Sequence, residues 1–298
     1  MKSYSLPILM LVAASASANI VSDVRDAIAH NDLKRGAALI HAYRGAAGVT
    51  PEMLEALSWM ARGSLAAKNL DQAEQYSRET YELSLAQLKK RPLDRDGNLP
   101  IAMGAAIEVE ANVLAIRGQR TEAITYLQEQ LKTYYATSIR TRIQKSINLL
   151  TMEGKPAPAL EKVVLPKGRP VLIFFWAHWC SDCKAEGPIL AKLKTEFEPR
   201  GLKIVAPTQK YGYVANGDDA PPDVELRYID QIRRERYADI IGTPAPVSEE
   251  NFRRYGASTT PTLVLVDRSG IVRLYHPGGM TYEELRPLVE ALVRPAAS

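Results

Sequence analysis

Cys180 and Cys183, the only two cysteines among 298 residues, stand in the spacing C-x-x-C directly after the apolar run Val171-Leu172-Ile173-Phe174-Phe175-Trp176. A run apolar at every position is what a strand buried on both faces of a sheet requires, and the residues after it open a helix. In that strand-to-helix setting the pair reads as a redox couple. Cys180, at the helix N-terminus, would face free backbone N–H groups and the positive end of the helix dipole, both of which favour its thiolate. Cys183, one turn on, is placed to resolve a mixed disulfide. A structural zinc site would need about four ligands, and the four histidines, His30, His41, His178 and His276, supply no matching spacing. A purely structural disulfide is the remaining alternative, although so short a loop gains little from closure entropy.

The rest of the chain divides into three stretches. Residues 1–18 carry Lys2, an apolar run around Leu6 to Ala14 and the small-residue pattern Ala16-Ser17-Ala18. This predicts a signal peptide cleaved before Asn19 and an exported, periplasmic or similar location in which disulfides persist. No later segment is expected to be apolar and long enough to span a membrane. Residues 19–155 are rich in Ala, Leu, Glu, Gln and Arg, with apolar residues returning at three and four positions, so this domain is all helix. Within it the stretches from Asn31 to Gly36, Asn69 to Ala73 and Gly118 to Ala123 each combine a turn with a helix start, and each ends on a small residue where helices must pack closely. The pattern resembles degenerate tetratricopeptide repeats, which implies either a concave surface for a protein ligand or a plain helical spacer. Residues 156–298 follow a proline-rich passage holding Pro156, Pro158 and Pro166. Strand-like runs recur there, at 202–206, 262–267 and 271–275, between helical stretches, and the last two runs form a hairpin across Arg268-Ser269-Gly270. Together these predict a mixed α/β sheet, closed by a helix that starts at the capping box Thr281 to Glu284 and runs to about Val293.

Lysine and arginine number 38 against 34 acidic residues, a net charge of +4 with no basic arm, so no nucleic-acid partner is expected.

The segment Phe175-Trp176-Ala177-His178-Trp179-Cys180-Ser181-Asp182-Cys183, followed by Glu186 and Pro188, resembles exported thioredoxin-like thiol-disulfide oxidoreductases of the TlpA/ResA type. A second mark is Thr260-Pro261-Thr262. The resemblance implies a thioredoxin-like fold, with a central mixed sheet flanked by helices. It makes Pro261 the cis-proline facing the disulfide and lets the Thr260 backbone receive a substrate peptide as an added strand. Cys180, Cys183 and Glu186 are then the catalytic residues, and Trp179, Thr260 and Pro261 contact substrate. Ordinary thioredoxins resemble one another in a buried aspartate before the motif. Phe174 stands there in this chain, so Glu186, three residues after Cys183, is the expected base.

No cofactor or metal is called for. The partners implied are client protein thiols or disulfides and a membrane or periplasmic thiol electron donor. Reduction of client disulfides is the expected direction. Oxidation of client thiols, or a non-catalytic adaptor acting through the helical domain, are the alternatives. Asp182 opposes the Cys180 thiolate and leans the couple toward a reductant, or else simply favours the helix start. His178 is expected at the surface, with an electrostatic role toward Cys180 as the alternative. Tyr211 and Tyr213, in an added segment at 210–247, are candidate substrate contacts or turn packing.

Overall fold

The computed structural model describes residues 19–294, so the expected signal peptide and its Ala16-Ser17-Ala18 motif lie outside the described residues. Among the described residues, seven α-helices come before the first strand: α1 (Ile20–Ala29), α2 (Leu33–Ala47), α3 (Pro51–Ala66), α4 (Leu70–Leu88), α5 (Asn98–Ile116), α6 (Arg120–Thr133) and α7 (Arg140–Thr151). Two of the three turn stretches singled out in the sequence start helices through a side-chain cap. Asp32 caps α2 by accepting the Arg35 N–H at 2.9 Å, and Asn69 caps α4 by accepting the Gln72 N–H at 3.3 Å. Ala73 is fully buried, packed with Ala61, Val109 and Val113.

One expectation needs correction here. Helix α5 is long and apolar enough, by length and composition, to cross a membrane. Its alanines, Gly104 and large apolar side chains are largely buried within the protein, as in a core helix rich in small residues.

Contacts divide the chain into two compact units, one ending at Val113 and the other beginning at Leu114. Helix α7 is therefore part of the unit that holds the sheet, and it packs on α10 (Glu249–Tyr255). Gly256 makes that approach feasible. It ends α10 in the left-handed region at φ +59°, and a Cβ there would lie 2.4 Å from the Lys145 backbone nitrogen on α7.

The sheet has four strands, β1 (Val171–Phe175), β2 (Lys203–Val205), β3 (Thr262–Val266) and β4 (Val272–Pro277), in the order β2-β1-β3-β4. β1 runs parallel to β2 and antiparallel to β3, and β4 is antiparallel to β3. As the unbroken apolar run predicts, β1 is buried on both faces. On one face Leu172 and Phe174 meet α8 (Ser181–Phe197) through Leu190, Leu193 and Phe197. The same core takes in α9 (Pro222–Arg236) through Ile229 and Ile232, and α11 (Tyr282–Val293) through Leu285 and Val289. On the other face Val171, Ile173 and Phe175 pack with Phe252 and Tyr255 of α10, and the Phe175 and Phe252 rings meet edge-on at 5.2 Å.

The proline-rich passage after α7 follows the sheet edge. Gly154 donates to the Val272 carbonyl, Val272 donates to Lys155, and Pro156 bridges Ile271. Proline is tolerated there because an edge position can do without its missing donor. Helix α11 starts with the expected capping box, in which Thr281 and Glu284 exchange side-chain-to-backbone hydrogen bonds.

Candidate active site

The chain leaves β1 at Phe175 and enters α8 six residues later, at Ser181, so whatever ends β1 is delivered to the start of that helix. Cys180 is the N-cap. Its Sγ accepts the Cys183 N–H at 3.0 Å, and its carbonyl accepts from Lys184 at 3.3 Å. Sulfur thus occupies the position where a side-chain oxygen normally satisfies the free donors of a helix start. Cys180 and Cys183 are joined by a disulfide, and both are buried. Across the sheet, the loop before β3 brings the Thr260 carbonyl oxygen within 3.4 Å of Cys180 Sγ, and the Thr260–Pro261 peptide bond is cis.

Glu186 lies one turn beyond Cys183 on the same helix and is only 4% exposed. Its Oε1 accepts the Met280 N–H at 3.5 Å. Gly279 makes that approach possible, since a Cβ there would sit 2.9 Å from Glu186 Oε2. Burial pushes the Glu186 carboxyl up to about 7, against the pull of the Met280 N–H and with a smaller push from the Glu284 charge. A group poised there can hold or release a proton near neutral pH.

The two tryptophans of the motif part company. Trp176 is core: it is 1% exposed, donates from Nε1 to the Ala206 carbonyl at 3.0 Å, and lies 5.0 Å from the Tyr237 ring. Trp179 is 48% exposed and meets Tyr211 edge-on at 5.5 Å. Phe174 is fully buried beneath Tyr237.

His178 does not lie at the surface. It is fully buried, with Nε2 3.2 Å from Oε1 of the equally buried Glu225 on α9. Desolvation lowers its basicity, partly offset by Glu225. Burial among tyrosines works against a cationic ring and the Glu225 carboxyl works for one.

Glu225, Gly279 and Met280 were missed in the sequence. For Glu225 a signal existed, because it stands four and seven residues before Ile229 and Ile232 and so places a carboxylate on the apolar face of its helix. Nothing local distinguishes Gly279. A cavity of about 520 Å3 is lined by Leu160, Val163, Leu165 and Val171 among others. It opens at the start of β1, the end opposite Cys180, and takes no part in this site.

The thioredoxin-like domain family matches residues 158–292. This part of the chain is a thioredoxin-like domain. The expected fold class holds with it, a mixed four-stranded sheet flanked by helices and preceded by a helix-rich region. The domain is similar to the thiol-disulfide oxidoreductase ResA of Geobacillus thermodenitrificans, at 25% identity over 130 residues, 42% of this chain and 64% of the relative. It is also similar to the thiol:disulfide interchange protein DsbE of Escherichia coli K12, at 29% identity over 160 residues, 48% of this chain and 77% of the relative. Among solved structures, a thiol:disulfide interchange protein DsbE from Chlorobium tepidum aligns with a TM-score of 0.37 at 23% identity, over 48% of this chain and 98% of that one. The chain spans 64% of the Geobacillus ResA and 66% of the ResA of Halalkalibacterium halodurans, just under two thirds of each.

Proposed function

We propose that the protein is an exported thiol-disulfide oxidoreductase that reduces disulfides in client proteins. The observation that carries this reading is the Cys180–Cys183 disulfide at the start of α8, facing the Thr260 carbonyl, with buried Glu186 one turn away. The relatives named as thiol-disulfide oxidoreductases support it, and the apolar stretch with Ala16-Ser17-Ala18 supports export.

In the reduced protein the Cys183 N–H and the helix dipole favour the Cys180 thiolate. That thiolate attacks one sulfur of a client disulfide. The client S–S bond breaks, its other sulfur leaves as thiolate and takes a proton from solvent, and a mixed disulfide joins client to Cys180. The Thr260 backbone holds the client segment alongside, and Pro261 and Trp179 border it. Cys183 then passes its proton to the Glu186 carboxylate and attacks Cys180 Sγ, which expels the second client thiolate and closes the Cys180–Cys183 bond. Two electrons have moved to the client, and a thiol donor protein must restore them. No other co-reactant enters.

Equilibrating the purified protein in dithiol buffers and trapping free thiols tests this directly. A potential near ~−270 mV supports the reductant, whereas one near ~−120 mV makes it an oxidant of client thiols. Absence of any reversible two-electron couple overturns the enzyme and leaves the adaptor reading.

A further inference from the structure

The segment between β2 and α9 starts bonded to the domain, with Trp176 donating to the Pro207 carbonyl, Thr208 to Pro246 and Ser248 to Thr208. Further on, Val214 donates to the Asp218 carbonyl and Ala220 to Gly212, which closes that stretch on itself. The turn at Tyr211 and Gly212 between them is tied to α9 by a side chain. Glu225 accepts the Tyr211 N–H at 2.5 Å and the Gly212 N–H at 2.9 Å, and its Oε1 also takes the contact from His178 Nε2. His178 in turn is fixed in the strand-to-helix connection two residues before Cys180. Three tyrosine rings surround it edge-on, Tyr211 at 5.5 Å, Tyr213 at 5.4 Å and Tyr228 at 5.3 Å.

This arrangement is costly if its purpose is stability. A carboxylate and an imidazole leave water completely, and His178 Nδ1 finds no partner among the described atoms. What the pair does provide is geometry. It fixes the turn that carries Tyr211 against the strand-to-helix connection that carries Trp179, and these two rings meet at 5.5 Å beside Cys180. Trp179 is half exposed and Tyr211 partly so.

We infer that His178 and Glu225 are positioning residues that hold an aromatic lip, Trp179 and Tyr211, beside the reactive sulfur, and that this lip selects client segments bearing an apolar or aromatic side chain next to the cysteine. The inference rests on the oxidoreductase reading above. The occupant is a client segment because the lip is continuous with Cys180 and the Thr260 carbonyl, where a client's disulfide must lie for exchange to occur.

Two synthetic peptide disulfides, identical except for Phe or Ser beside the cysteine, test it against the reduced protein, with bis(2-hydroxyethyl) disulfide, a linear disulfide with no side chain to meet the lip, as the control probe. The reading is the ratio of the Phe to the Ser peptide rate constants. The wild-type ratio is expected at about two- to twelvefold, the size of one aromatic contact. Glu225→Ala and Tyr211→Ser should both bring it close to one. His178→Gln, whose amide nitrogen keeps a donor toward Glu225, should retain most of it. A merely structural role would lower all three rates together and leave the ratio alone. A wild-type ratio of one, or a ratio that survives in Tyr211→Ser or in folded Glu225→Ala, overturns the inference, and Tyr211→Ser decides the matter if Glu225→Ala does not fold. Failure of the wild-type reduced protein to exchange with bis(2-hydroxyethyl) disulfide would instead overturn the oxidoreductase reading itself.

Discussion

Replacing Glu186 with glutamine should make the thioredoxin-like domain more stable at neutral pH and leave a much smaller difference in acid. The folded protein holds this carboxyl at about 7, against 4.5 for an ordinary glutamate. Between those two values the unfolded chain has lost the proton while the folded domain keeps it, so the folded state binds more protons and stability falls as pH rises. Below 4.5 both states are protonated and no penalty exists; above 7 it is complete. At 1.36 kcal/mol per pH unit the full penalty is on the order of 3 kcal/mol. Glutamine cannot ionise, yet its carbonyl still accepts the Met280 N–H. The stability difference, variant minus wild type, is therefore expected to grow by about 3 kcal/mol between pH 4 and pH 8. Urea unfolding of the oxidised protein at pH 4, 5, 6, 7 and 8 measures it, with Trp59→Phe in both chains so that fluorescence comes from Trp176 and Trp179. A difference that stays constant over that range would refute the claim that burial raises the Glu186 carboxyl toward neutrality, and with it the poise that suits Glu186 to accept the proton of Cys183.

Two further outcomes follow from the geometry. Gly256→Ala places a methyl group against the α7 backbone in a left-handed conformation, and should cost about 2–5 kcal/mol by chemical denaturation, the sum of backbone strain and overpacking. Cys183→Ser should accumulate a covalent mixed disulfide through Cys180 when offered a disulfide-bonded protein, visible on a non-reducing gel and released by dithiothreitol, whereas Cys180→Ser should give none.

Much of the site could be read from short stretches. The continuous apolar run fixed β1 as a doubly buried strand, and the residues after it placed Cys180 at a helix start. Thr281 and Glu284 announced the last helix. Each of these depends on a few neighbouring residues, whose periodicity, caps and turn preferences are expressed in any fold that contains them. Helix α5 shows where such reading fails, because an apolar composition suits a membrane span and a core helix equally, and only the surrounding helices tell them apart.

The sequence by itself determined how the Cys180 and Cys183 sulfurs and the Glu186 carboxyl are spaced, because all three lie at or along a single helix start whose spacing is set by its own backbone. The tertiary structure alone decided what environment those atoms occupy. Thr260 reaches Cys180 across 80 residues, Met280 reaches Glu186 across 94, and Glu225 draws His178 inward across 47. Those meetings depend on the strand order β2-β1-β3-β4 and on where the added segment folds back, and it is burial by distant residues, absent from any local stretch, that raises one carboxyl toward neutrality and turns a histidine from the surface into an internal brace.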